Sequence, residues 1–282
     1  MTALIDSNAI QAIFERPLPD GRFEKPVRDY LHAVATRRPL LLLAFAPKCA
    51  GTFLRQAAVH ALDGQLLRMC HAQAGRDGTL YLPNILSWCL DDDAPATVTH
   101  IHMQALDGNR HFIQAVGLKP VIMIRNIADT LASFLDMLEV DPVARAEGLN
   151  CQVPGNFCDL DRDDKLDFMV DVIAPWYASY YATWSNFADT AGDTIRILHY
   201  REFCENPAET LYKAIVHAGF AITRYQCRKS VEHAWEGKEN FRFNRGISGR
   251  GKSYFTPSHF ARLQKLLSYY PQLSGWKTDL LD

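Results

Sequence analysis

Three short segments combine basic residues with small ones, the makings of anion-binding sites. Residues 47–54 read Pro-Lys-Cys-Ala-Gly-Thr-Phe-Leu and follow an apolar run over 39–46. Small residues let the backbone approach an anion. A helix starting near Thr52 would aim N–H groups and a positive dipole end at it, and Lys48 adds a full charge. The ATP-binding pattern G-x-x-x-x-G-K-[ST] is absent, because the lysine precedes the glycine. Residues 125–133 read R-N-I-A-D-T-L-A-S, and an arginine leaving an apolar run to face a helix N-terminus suits a phosphate. The plainer reading pairs Arg125 with Asp129. Residues 243–252, F-N-R-G-I-S-G-R-G-K, form either a further anion cradle or a flexible basic loop. A fourth segment, His100-Ile101-His102, supplies imidazole, which exchanges protons near neutral pH.

These residues need elements to position them. Segments 40–46, 97–103, 120–124 and 194–198 read as strands, and the first and third are continuous apolar runs suited to a sheet buried on both faces. Helical patterns cover 26–36, 52–62, 128–138, 166–188 and 208–218, the last stopped by Gly219. The alternation predicts an α/β fold, a central parallel sheet flanked by helices, in one domain over 1–282. Ligands of such sheets bind at the carboxyl ends of the strands. Lys48, His102 and Arg125 all fall there. If 97–103 is a strand, His100 and His102 share a face. Helix 166–188 carries Trp176, Tyr177, Tyr180, Tyr181, Trp184 and Phe187, read as core packing. Segment 139–165 is polar, with Gly and Pro, and is expected to be a mobile loop.

Composition narrows the function classes. Of 282 residues, 48% are hydrophobic and 22% charged, as in soluble globular proteins. A formal net charge of −2 provides no global field for nucleic acid or anionic membrane. The N-terminus lacks a signal-peptide pattern, and no apolar run approaches the roughly 20 residues of a membrane helix. Seven scattered cysteines without a C-x-x-C pair suggest reduced thiols in a cytoplasmic protein rather than a zinc site, with a local Cys151–Cys158 bridge as the alternative.

Taken together, the segments resemble the sulfotransferases that use 3′-phosphoadenosine 5′-phosphosulfate (PAPS). That family's first motif is close to P-K-S-G-T-T-W-L, and here 47–54 read P-K-C-A-G-T-F-L. Its second, R-N-x-x-D-x-x-x-S, is matched at every fixed position by 125–133. Its third, R-K-G-x-x-G-D-W-K-x-x-F-T, is similar to N-R-G-I-S-G-R-G-K-S-Y-F-T over 244–256. Tyr200 before Glu205-Asn206-Pro207 resembles the family's Y-E-D-x-x-x-N-P.

The resemblance implies a P-loop-NTPase-like sulfotransferase fold and sulfuryl transfer from PAPS to the hydroxyl of a small-molecule acceptor. The product nucleotide would be 3′,5′-adenosine bisphosphate (PAP), with no metal needed. It implies that Lys48 stabilises the leaving phosphate and that backbone N–H groups of 50–54, with Cys49, Ala50, Gly51 and Thr52 in the loop, hold the 5′-phosphate. Arg125, Ser133, Arg245 and Gly246 would bind the 3′-phosphate, with Asn244 also among the cofactor-binding residues. Phe53 replaces the family's adenine-stacking tryptophan, and Tyr200 would bound the adenine. The family's K-T-H-L-P aligns His102 with the catalytic histidine and His100 with the lysine, so Lys48 or a protonated His100 would supply the missing charge. The family's dimer segment, K-x-x-x-T-V-x-x-x-E, is not carried over, since Pro257 and Ala261 replace its valine and glutamate. The rival readings are an ATP-using small-molecule kinase and a non-catalytic nucleotide-binding relative.

Overall fold

The computed structural model describes residues 25–71, 78–91, 93–147, 152–237 and 248–281. Asn244, Arg245, Gly246 and Cys151 lie outside the described residues. In chain order the elements are α1 (Lys25–Arg37), β1 (Leu40–Leu43), α2 (Gly51–Ala61), β2 (Gln65–Leu66), α3 (Leu82–Leu90), β3 (Thr97–His100), α4 (Asp107–Val116) and β4 (Val121–Ile124). Then come α5 (Ile127–Val140), α6 (Pro142–Glu147), α7 (Arg162–Phe168), α8 (Ala174–Ala191), β5 (Arg196–His199), α9 (Tyr200–Glu205), α10 (Pro207–His217), α11 (Arg224–Glu236), α12 (Gly251–Tyr254), α13 (Pro257–Ser268) and α14 (Lys277–Leu281).

The strands form one parallel sheet in the order β2-β3-β1-β4-β5. Every residue of β1, β3 and β4 is buried, because helices cover both faces. The chain steps from β1 outward to β2, and from β4 outward to β5 on the other side. The switch point therefore lies between β1 and β4, where a crevice opens at the carboxyl ends. Here the two strands share one register pair, Leu43 with Val121, plus the bond from the Ala44 N–H to the Val121 carbonyl at 2.9 Å.

The expected α/β architecture is present, and several departures from it bear on the site. β2 was not foreseen, since two residues carry no period. β3 stops at His100, so strand alternation does not bring His102 beside it. The segment expected as a mobile loop, 139–165, contains α6, a 3-10 turn at Phe157–Asp159 and the start of α7, with Phe157 wholly buried. One apolar ring anchors a stretch whose polar average hides it. A π-helical turn, Met169–Ile173, joins α7 to α8. No helix among the described residues is long and apolar enough to cross a membrane.

Candidate active site

The loop between β1 and α2 is strained. Lys48 has φ 64° and Ala50 has φ 60°, left-handed values at non-glycine residues. Each costs about 1–2 kcal/mol, so the surroundings must hold the turn. Ala50 is the N-cap of α2 without a side-chain cap. The helix ladder starts with the Leu54 N–H on the Ala50 carbonyl at 3.0 Å, and the Cys49 N–H bonds the Ala46 carbonyl at 3.3 Å. The expected donor set of 50–54 thus narrows to 50–53, the positive end of α2. Lys48 is half-buried, with Nζ 3.6 Å from the Met137 sulfur of α5. Cys49 is wholly buried, and burial pushes its thiol up to about 11, leaving a neutral side chain in the loop.

Gly51 serves a purpose that its motif does not reveal. A Cβ there would sit 2.1 Å from Nε2 of His100. His100, 8% exposed, is wedged under the start of α2 with Phe45 edge-on at 6.2 Å. The His102 ring is half-buried, 5.0 Å from that of His100 and at 74° to it. The histidine pair therefore meets the anion loop, as the strand-end argument requires.

Arg125 follows β4 and is 4% exposed. A guanidinium N–H donates to the Lys48 carbonyl, and Cζ lies 3.9 Å above the centroid of the Tyr200 ring. Its Nε is buried with no acceptor among the described residues. The plainer pairing with Asp129 is absent. The Asp129 carboxylate instead accepts the N–H groups of Gly249 at 2.6 Å and Gly251 at 2.7 Å, and the Ser248 hydroxyl at 3.3 Å. Ser133 lies one turn further along α5, buried. Asp136 bonds Arg250 and the Tyr254 hydroxyl, both at 2.6 Å. Arg250, expected in a basic cradle, is thereby neutralised by a carboxylate.

Two nucleotide contacts expected from the resemblance look different here. Phe53 is 1% exposed, its ring 5.7 Å from that of Phe203 and 4.9 Å from that of Trp235. Among the described residues it packs as a core residue between α9 and α11. Tyr200 is buried beneath Arg125, and burial pushes its hydroxyl up to about 12, so it stays neutral.

Sequence reasoning missed what α8 does. The Tyr177 hydroxyl donates to the Pro47 carbonyl at 3.1 Å, and the Tyr180 hydroxyl to the Ala44 carbonyl. Tyr181 accepts the Arg125 N–H at 3.2 Å. Trp184 donates to the Met103 carbonyl at 3.0 Å, and Thr183 accepts the Ala105 N–H at 3.1 Å. One helix therefore fixes the backbones that follow β1, β3 and β4. The signal was present in the residue types: buried Tyr and Trp carry polar tips that need partners, unlike Phe or Leu. Among the described residues, no group of three or more His, Cys, Asp or Glu could hold a metal ion.

No protein-family profile matches the chain. No curated protein matches it either. Solved structures do. A mouse sulfotransferase, SULT7A1, complexed with PAP superposes with a TM-score of 0.64 at 14% identity, over 90% of this chain and 92% of that one. A retinol dehydratase in complex with retinol and PAP gives 0.51 at 10% identity, over 88% and 86%. At such identities the likeness establishes architecture, and the chain has the fold of the sulfotransferases.

Proposed function

We propose that the protein is a sulfotransferase that moves a sulfuryl group from PAPS to the hydroxyl of a small-molecule acceptor, releasing PAP. The observation that carries this reading is Arg125. A buried guanidinium at the sheet's switch point, with Nε lacking an acceptor among the described residues, calls for an anion. It stands beside a second anion-attracting centre, the α2 N-terminus with Lys48. Two centres on neighbouring strands fit a nucleotide with two separated phosphoryl groups better than a single polyphosphate chain. The residues present thus fit PAPS, which when bound supplies an activated sulfuryl group.

Backbone amides of 50–53 hold the 5′ end, and Lys48 balances the charge that grows on the departing oxygen. Arg125 and Ser133 hold the 3′-phosphate, joined by Arg245 and Gly246 if the resemblance extends to them. Tyr200, buried beneath Arg125, supports the guanidinium. The His102 imidazole removes the proton from the acceptor hydroxyl. His100, packed against both Gly51 and His102, keeps that imidazole next to the anion loop. The retinol held by the structural neighbour is an alcohol, consistent with a small-molecule acceptor here.

Calorimetric titration with PAP, alongside ATP plus magnesium, tests the reading. PAP should bind and ATP bind weakly; the reverse preference refutes the proposal. His102→Ala should abolish turnover with PAPS and leave PAP affinity within about twofold, because the imidazole acts on the acceptor's proton.

A further inference from the structure

Building on the two-phosphate reading above, we infer that Tyr181 is a positioning residue whose hydroxyl sets the spacing between the two anion centres, and with it the preference for a bisphosphate over a monophosphate nucleotide. Backbone pairing leaves that spacing undetermined. β1 and β4 share a single register pair at Leu43 and Val121, so the ladder between them ends short of Lys48 and Arg125. Something other than a ladder must therefore hold the two walls in place there.

The Tyr181 hydroxyl sits at that junction, wholly buried. It accepts the Arg125 N–H at 3.2 Å, faces the Arg125 carbonyl as donor at 3.4 Å, and lies 3.7 Å from the Cys49 sulfur. One hydroxyl proton and two lone pairs are thereby matched to three atoms, two on the β4 side and one in the β1 loop. The neutral Cys49 thiol can donate to the oxygen, a bond that a thiolate could not make. The Arg125 guanidinium reaches the Lys48 carbonyl across the same gap. It must also face the ligand, whereas Tyr181 carries no charge and is wholly buried.

Neighbouring tyrosines separate this role from ordinary packing. The Tyr180 hydroxyl is equally buried but is held by the β1 side, at the Ala44 carbonyl and the Ala46 backbone, with no bond to Arg125 among the described residues. Removing it alters one wall without altering the separation of the two.

The test compares wild type, Tyr181→Phe and Tyr180→Phe in calorimetric titrations with PAP, adenosine 5′-monophosphate and adenosine 3′-monophosphate. A ligand with one phosphate engages one centre and is indifferent to spacing. A ligand with two phosphates is not. Tyr181→Phe should weaken PAP binding by about tenfold and each monophosphate by less than about twofold. Tyr180→Phe should keep the wild-type ratio of affinities even if its melting temperature falls. Equal weakening of all three ligands by Tyr181→Phe, or an unchanged ratio, overturns the inference. Should Tyr181→Phe not fold, Cys49→Ala removes only the sulfur partner and must shift the ratio in the same direction. Wild-type protein that binds no PAP overturns the parent reading and this inference with it; wild-type binding with an unchanged Tyr181→Phe ratio overturns this inference alone.

Discussion

Gly51→Ala isolates the contact between the anion loop and the histidine pair. The new Cβ would lie 2.1 Å from Nε2, 2.4 Å from Cε1 and 2.9 Å from Cδ2 of His100. Ordinary contact begins near 3.4 Å, so the ring must retreat by about 1.3 Å relative to the helix start. It has little room, since the ring is 8% exposed, with Phe45 and His102 against it. Overpacking of this kind costs about 1–3 kcal/mol. The gain from replacing glycine in a helix offsets at most about 1 kcal/mol. In the middle of that range the net loss is about 1–2 kcal/mol, or roughly 2–8 °C in melting temperature for a chain of this size. The functional effect should exceed the stability effect. A displacement near 1 Å at a reacting group costs up to about 100-fold in rate, and His102 moves with its neighbour. Urea melts and turnover with PAPS measure the two losses. His100→Ala in the same chain removes the clashing ring, so the double variant should regain the stability lost by Gly51→Ala. Wild-type stability and turnover in Gly51→Ala alone would refute the packing argument.

Arg125→Lys keeps the charge but loses the planar fork that reaches the Lys48 carbonyl and covers Tyr200. PAP affinity should fall by about 100-fold, equivalent to about 2.7 kcal/mol, and a change below about threefold would contradict the buried-cation argument. Burial raises the thiols of Cys49 and Cys227 from 9.0 to about 11 and that of Cys89 to about 12. These groups keep their protons in the folded chain after the unfolded chain has lost them. Their contribution is therefore fully present below pH 9.0 and is lost as pH rises towards the folded values, with a slope of about 1.4 kcal/mol per pH unit for each thiol. Denaturant melts at about pH 8 and about pH 10 should show the drop, and equal midpoints would contradict it.

The segments that look chemical in sequence come together because a parallel sheet brings the ends of its strands to one edge. Lys48, His100, His102 and Arg125 could be placed near one another from strand–helix alternation alone, since burial on both faces leaves a continuous apolar run that is easy to read. Partner choice was not legible. Asp129 lies four residues from Arg125 and invites a salt bridge, but it binds the N–H groups of Gly249 and Gly251, more than a hundred residues away. Phe53 occupies the position of a stacking ring in its motif, and the packing of α11 and α9 against α2 turns it into core.

By itself, then, the sequence determined the period of the longer strands and helices around the site, the absence of an ATP-type loop, and which residue types reach the strand ends. These are local properties of side-chain size, charge and spacing. Tertiary structure alone decided what each residue touches. Gly51 is required by His100, which follows from how β1 and β3 lie side by side. The left-handed turn at Lys48 and Ala50 persists because α8, far along the chain, offers its tyrosine hydroxyls to the carbonyls around it. Strain of that kind is a property of the loop, but the means of holding it belongs to the packing, and no spacing rule connects residue 47 with residue 177.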